Sequence, residues 1–333
     1  MYIILLNTII LGATVRDAGA WGHQAHFITV KIALSFLTDD GERLLQDVLV
    51  ESGSTIEQSL YEASIWPDAI KSDPSYSWSH HLHFINIPDR VCDGFNLTRD
   101  CGNPDSPGNC LVSAIANYTS RIENRDLDPS SRKEAMKFLV HFAADITQPM
   151  HVAFSGDRGG NNVRITPPWD QEYVLTAKRK VKRLHHIWDT HILQYVLSSL
   201  GKNWAELADD MINLIKGEGF IPETIGMGAL RYATLTAADT ANLSCEFAYK
   251  DRGDWLKSGD SLSSDYYDNA SGIVMQQLAI AGLDIARYIN QLGESLLSGE
   301  DISSDEEEDM EVEDSRWENV LGSPDNENEF FLF

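Results

Sequence analysis

Apolar residues recur three and four positions apart through most of this chain, the spacing that gathers them on one face of a helix. Phe27 to Leu37 is the first such run. Thr38-Asp-Asp-Gly-Glu42 interrupts it like a cap, and a second helix is expected from Glu42 to about Val50. A third spans Ile56 to Ile65 and is expected to end at Trp66-Pro67-Asp68, because proline has no N–H to continue the ladder. Further helical runs cover Leu111 to Glu123, the stretch around Lys133 to Val140, residues 191–216 and 223–241, and about Gly272 to Leu292. Strand signals are few. His83-Phe-Ile-Asn-Ile87 is a short extended segment whose alternation sends His83 and Ile85 to one side, Phe84 and Asn86 to the other. The pattern predicts a mostly α, single-domain helical fold with a central cleft.

Three stretches fall outside this pattern. Residues 1–20 carry a short apolar core, Ile3 to Leu11, and a small-residue site at Ala18-Gly-Ala20, which together read as a cleavable signal peptide. Residues 88–110 form a loop rich in Gly, Pro, Asn and Asp. Residues 298–333 are dominated by acidic side chains that repel one another and bury nothing, so this tail is expected to be disordered. The folded domain is therefore expected over residues 21–297.

Charge and cysteine content sharpen the picture. The 51 acidic and 26 basic residues leave a formal charge of −25, which repels polyanions unless cations or a local basic patch reverse the field. Ala177-Lys-Arg-Lys-Val-Lys-Arg183 is the one dense basic run, and it is expected at a cleft rim, holding the phosphates of a long strand. No stretch has transmembrane length, so no stable membrane insertion is expected. Four cysteines behind a signal peptide, Cys92, Cys101, Cys110 and Cys245, suggest two disulfides in a secreted or lumenal protein. Sequons at Asn96, Asn117, Asn242 and Asn269 agree with that route as glycosylation sites.

The candidate chemistry is metal binding. His141 and Asp145 stand four apart on a predicted helix, so both face one way, and Pro149 then redirects the chain before His151. His185 and Asp189 repeat the same spacing. His26, Asp68 and His83 add further imidazoles and a carboxylate, and cleavage after Ala20 would free a terminal amine at Trp21. Mixed nitrogen and carboxylate donors suit zinc, and the set is too large for one ion.

In Trp21-Gly-x-x-x-His26, Trp66-x-Asp68, Leu82-His-Phe-Ile85, Ser113-Ala-Ile-Ala-Asn-Tyr-Thr119, Phe138-Leu-Val-His141-x-x-x-Asp145-x-Thr-Gln-Pro149-x-His151, Gly159-Gly-Asn161 and Leu184-His185-x-x-Trp-Asp189, the chain resembles a known family. That family is the zinc-dependent, single-strand-specific nucleases of fungi and plants, the S-one/P-one type, whose fold is shared by bacterial zinc phospholipase C. The resemblance runs from Trp21 to about Leu292. It implies three Zn²⁺ ions: one on Asp68, His83 and His141; one on the Trp21 amine and carbonyl with His26, Asp145 bridging these two; and one on His151, His185 and Asp189. It further implies Phe84 stacking on a base, Asn86 and Asn161 hydrogen-bonding it, and Lys71 beside the phosphate. The implied disulfides are Cys92–Cys245 and Cys101–Cys110. Asn86 departs from the family, whose fungal members often carry Asp there. The implied activity is endonucleolytic hydrolysis of single-stranded DNA and RNA to 5′-phosphate products by a secreted monomer, together with 3′-nucleotidase action on 3′-nucleotides. A zinc phospholipase C and a zinc-binding glycoprotein without turnover are the alternatives.

Overall fold

The computed structural model describes residues 21–103, 106–107, 109–168, 181–219 and 226–298. The expected signal peptide, the acidic tail from residue 299, and Lys178, Arg179 and Lys180 of the basic run lie outside the described residues.

Three helices open the chain: α1 (His23–Leu34), α2 (Asp39–Val48) and α3 (Ile56–Ile70). Thr38 caps α2, its hydroxyl accepting from Gly41 N at 3.2 Å, so α2 begins three residues before the Glu42 the pattern suggested. Thr55 and Gln58 form a reciprocal capping box at the start of α3. A 3₁₀ turn (Ser77–His83) leads into β1 (Ile85–Ile87), and a short helix α4 (Leu97–Asp100) precedes the small hairpin β2 (Gly102–Asn103) and β3 (Ser106–Pro107). Two long helices follow, α5 (Leu111–Glu123) and α6 (Pro129–Asp145), then a 3₁₀ turn (Pro149–His151) and β4 (Val152–Phe154). Next come β5 (Arg164–Ile165), β6 (Lys182–Arg183), α7 (Leu184–His186), a π turn (Ile187–His191) and α8 (Ile192–Leu200). The chain continues through α9 (Trp204–Gly217), α10 (Ala229–Leu243), a second π turn (Ser244–Ala248), β7 (Lys250–Asp251), β8 (Asp254–Trp255) and α11 (Ser264–Ser298).

The mostly α expectation holds, with several boundaries moved. Helix α3 does not stop before Pro67 but runs through it to Ile70, with Lys71 N still donating to the Pro67 carbonyl at 3.2 Å. Pro67 is buried, and burial of this face outweighs the one backbone bond that proline forfeits. The 191–216 run is two helices, because Gly201 takes a left-handed φ of 62° and closes α8. The last helix starts at Ser264, eight residues before Gly272.

Helix α6 is the axle of the domain. From Ala135 to Asp145 almost every side chain is buried, including Phe138, Leu139, Val140 and Phe142, and such an all-round apolar helix belongs in the middle of a core. It packs against α3, α5 and α11, while α1 lies across α3, α9 and α11. Close approach is needed between α2 and α11: a Cβ on Gly41 would lie 2.4 Å from Asn290 Oδ1, the atom that also accepts from Thr38 N.

Two features pull the loops onto this core. β1 and β4 pair in parallel, Ile85 opposite Val152 and Ile87 opposite Phe154, which sets the segments carrying His83 and His151 side by side. The disulfide Cys92–Cys245 ties the loop after β1 to the second π turn, and Cys101–Cys110 closes the small loop ahead of α5. These bonds staple a segment with little apolar surface of its own.

Candidate metal centre

His141 and Asp145 lie one turn apart on α6, both fully buried in otherwise apolar surroundings. A buried carboxylate is strongly destabilising unless it is partnered. Asp145 is surrounded by imidazoles. Its Oδ2 lies 3.0 Å from His141 Nε2, 3.2 Å from His83 Nδ1 and 3.6 Å from His151 Nδ1, while its Oδ1 lies 3.5 Å from His26 Nε2. Asp68 Oδ1, from α3, stands 3.7 Å from both His83 and His141. On the other side, His185 Nε2 is 3.3 Å from Asp189 Oδ2, and His151 Nε2 is 3.7 Å from Asp189 Oδ1. Three groups result whose donor atoms lie within 4.8 Å of one another: His26, His141 and Asp145; Asp68, His83 and His141; His151, His185 and Asp189.

These residues fit metal ions better than they fit one another. Two donors about 2.0–2.1 Å from one tetrahedral ion stand about 3.3–3.4 Å apart, the middle of the distances seen here. Among the described residues, buried polar atoms without a hydrogen-bond partner include both nitrogens of His26 and of His151, Nε2 of His83 and of His185, and Oδ1 of Asp145. Such orphans are rare in folded proteins and point to an absent partner. Burial, reinforced by neighbouring imidazoles, holds His26, His83 and His151 well below the usual imidazole range. Burial also takes His185 down to about 4, so these rings are neutral and offer lone pairs at neutral pH. Burial opposes charge on His141 as well, but Asp145 and Asp68 outweigh it and raise its pKa. Both buried acids, Asp145 and Asp189, are pushed upward by desolvation. A divalent cation would reverse that push.

Backbone carbonyls fix the rings. His141 Nδ1 donates to Ser64 O at 2.6 Å, one turn before Pro67 loosens the α3 ladder, leaving Nε2 for the centre. His185 Nδ1 donates to Gly159 O at 2.6 Å. Gly159 adopts φ 60°, and a Cβ there would sit 2.5 Å from Met150 O. Gly159→Ala should therefore displace this carbonyl and weaken metal binding at His151, His185 and Asp189 by about 10- to 100-fold. Titration of the variant with zinc checks this. Gln148 Nε2 donates to Asp189 Oδ1 and its Oε1 accepts from Met150 N, which anchors the turn bearing His151. The π turn carries Asp189, a local widening often found at functional sites. Trp21 is pinned between the two halves: its indole donates to Ala144 O at 3.0 Å, and Gly22 N donates to Asp189 O at 2.9 Å.

Above the buried groups opens a cavity of about 430 Å³, within the usual range for small-molecule sites, roughly 300–1,000 Å³. His83, His151 and His185 reach its floor; Lys71, Phe84, Asn86 and Asn161 stand in its walls. Lys71 Nζ also pairs with Asp68 Oδ1 at 2.6 Å. The structure thus brings together every expected His, Asp, Lys, Phe and Asn of the site. The asparagines of the four sequons, Asn96, Asn117, Asn242 and Asn269, are exposed and lie away from the cavity lining. Sequence reasoning missed the Ser64 and Gly159 carbonyls, Gln148 as an orienting group, and Arg158 and Arg164 in the cavity wall. Gln148 and Gly159, both within quoted motifs, were the ones with a visible signal.

Comparison with known proteins decides what this centre belongs to. The family model described as S1/P1 Nuclease matches residues 21–294. The chain belongs to the S1/P1 nuclease family. It is similar to Endonuclease 1 of Arabidopsis thaliana, 29% identical over 300 residues that cover 87% of this chain and 92% of the relative. Nuclease P1 of Penicillium citrinum is 30% identical over 285 residues, 82% of this chain and 97% of the relative. Nuclease S1 of Aspergillus oryzae is 28% identical over 281 residues, 81% and 91% respectively. This S1/P1 nuclease is therefore a hydrolase of the single-strand-specific nuclease type, with three buried His/Asp groups able to hold metal ions. Among the described residues no helix is long and apolar enough to cross a membrane.

Proposed function

We propose that this chain is a secreted zinc endonuclease that cleaves single-stranded DNA and RNA to 5′-phosphate products and removes phosphate from 3′-nucleotides. The observation that carries the reading is the cluster of buried imidazole and carboxylate atoms without hydrogen bonds, directly beneath a cavity with an aromatic wall. Residues 1–20 are a signal peptide, 21–297 the catalytic domain, and 298–333 an acidic tail. Cleavage after Ala20 turns the Trp21 amide into an amine five residues before His26, and the Trp21 indole and Gly22 N already anchor this end against α6 and Asp189. Three Zn²⁺ would then be held by Asp68, His83 and His141; by Trp21 and His26; and by His151, His185 and Asp189, with Asp145 available to the first two. Zinc in such sites supplies Lewis acidity, which acidifies water and neutralises phosphoryl charge.

The protein's own residues do the rest. Phe84 offers a ring face to one base, which must be unstacked to reach it, and that favours single strands over duplex. Asn86 and Asn161 present amides to the base edge, and Asn161 is held by donation to Arg158 O at 3.0 Å. Lys71, on the Asp68 carboxylate, places a cation beside the scissile phosphate. Phe84→Ala removes stacking worth about 1–3 kcal/mol per base, so KM should rise roughly 5- to 100-fold with less effect on kcat. Steady-state kinetics on a short oligonucleotide checks this.

The mature protein acts as a monomer, glycosylated at Asn96, Asn117, Asn242 and Asn269. The test is parallel assay of the processed, zinc-loaded protein on heat-denatured DNA, native DNA and phosphatidylcholine vesicles. Chelator-sensitive cleavage of the denatured DNA, with little release from vesicles, is expected. Headgroup release without DNA cleavage would overturn the reading in favour of a phospholipase C.

A further inference from the structure

The wall of the cavity reverses the charge of the chain around it. The sequence carries 51 acidic and 26 basic residues, yet the described residues lining the cavity include Lys71, Arg158, Arg164 and Arg183 and no aspartate or glutamate. Three of these cations converge from different segments. Arg164 on β5 and Arg183 on β6 are direct cross-strand partners, so their side chains leave the same face of the ladder. Arg158 sits in the turn before Gly159 with a left-handed φ of 59°, unfavourable for a residue with a Cβ. All three are exposed, and no carboxylate among the described residues pairs with them.

Like charges placed directly opposite each other disfavour the hairpin, and a left-handed arginine disfavours its turn. Both arrangements persist beside the Gly159 carbonyl that orients His185. A polyanion lying across the ladder would neutralise the first of these. Lys71 is held by the Asp68 carboxylate at 2.6 Å, whereas Arg183 lies two residues before His185 and Arg158 directly precedes Gly159, whose carbonyl holds that ring.

We propose that Arg158, Arg164 and Arg183 form a subsite for a phosphate adjoining the scissile one, so that this nuclease grips a strand of several nucleotides rather than a single nucleotide. The proposal rests on the nuclease reading and extends it to the substrate's length. Of the basic run expected at the cleft rim, Arg183 belongs to this subsite; Arg158 and Arg164 come from elsewhere in the chain.

The test compares the zinc-loaded mature protein with R164A/R183A and R158A. Binding of a phosphorothioate-linked hexathymidylate, which resists cleavage, is measured by fluorescence anisotropy across salt concentrations, beside thymidine 5′-phosphate. In R164A/R183A the hexamer should lose about tenfold more affinity than the mononucleotide, and its salt slope should fall by about 0.7 for each phosphate that is no longer neutralised. R164K/R183K should restore most of the slope. Melting temperature should stay level or rise, because a repulsive pair has gone. Equal loss for both ligands, or an unchanged hexamer slope, overturns the proposal. Cleavage of denatured DNA by the unmodified protein is scored separately, so hexamer binding without cleavage would retire the nuclease reading and leave the subsite standing.

Discussion

Asp145→Asn should lower phosphodiesterase activity by roughly four orders of magnitude, the largest effect expected of any single substitution. The two oxygens of Asp145 serve different neighbours: Oδ1 faces His26, and Oδ2 faces His83 and His141. One neutral amide cannot replace a shared anion, because the amide nitrogen is a donor and turns away from any cation. Loss of the charge weakens two metal groups at once. If each contributes a few kcal/mol to transition-state stabilisation, about 5 kcal/mol is lost together, or on the order of 10⁴ in rate. The change is nearly isosteric, so the fold should survive, which circular dichroism of the zinc-loaded variant would establish. Zinc content should fall alongside activity. A variant that retains a tenth or more of the rate would show that Asp145 is a buried structural acid and not a shared ligand.

Removing metal should destabilise the whole domain. Seven buried donor or acceptor atoms in the three groups have no hydrogen-bond partner, and one of them belongs to Asp145 at the end of α6, the helix at the middle of the core. An unsatisfied buried polar atom costs about 1–3 kcal/mol, and a ligand at a thousand times its Kd stabilises by about 4 kcal/mol per site. Three occupied sites therefore contribute on the order of 12 kcal/mol, and at about 2 °C per kcal/mol for a domain of this size the melting temperature should drop by on the order of 20 °C on chelation. Differential scanning calorimetry with and without chelator, followed by zinc restoration, measures it. A drop of only one or two degrees would mean that water or a side-chain rearrangement satisfies these atoms without metal.

Much of the architecture was legible from spacing, because helix periodicity is local. The span of α5, the cap-like break before α2 and the paired His/Asp spacings all depend on residues within a few positions of one another, whereas α6 (Pro129–Asp145) outruns the stretch around Lys133 to Val140 at both ends. Pro67 shows where local rules give way: read alone it ends a helix, but burial of α3 against α6 carries the helix past it. The His185–Asp189 pair was visible as a four-residue spacing, whereas the π turn that carries Asp189 was not, since its extra residue is set by packing. What could not be read were partners distant in sequence. The carbonyls of Ser64 and Gly159 meet His141 and His185 across 77 and 26 residues. The opposition of Arg164 and Arg183 likewise exists only once β5 and β6 pair. The donor set of the site is written in residue types, and its orientation is written in the fold.

On the proposed function, the mature chain holds three zinc ions in one buried centre, one of them reached by the freed Trp21 amine. Anomalous X-ray diffraction at the zinc edge, on crystals of the processed protein, tests it directly. The account predicts three strong peaks: one among Asp68, His83, His141 and Asp145; one beside His26 and the Trp21 nitrogen; and one among His151, His185 and Asp189. Peaks absent from these positions in zinc-loaded crystals, or a single peak elsewhere, would contradict it.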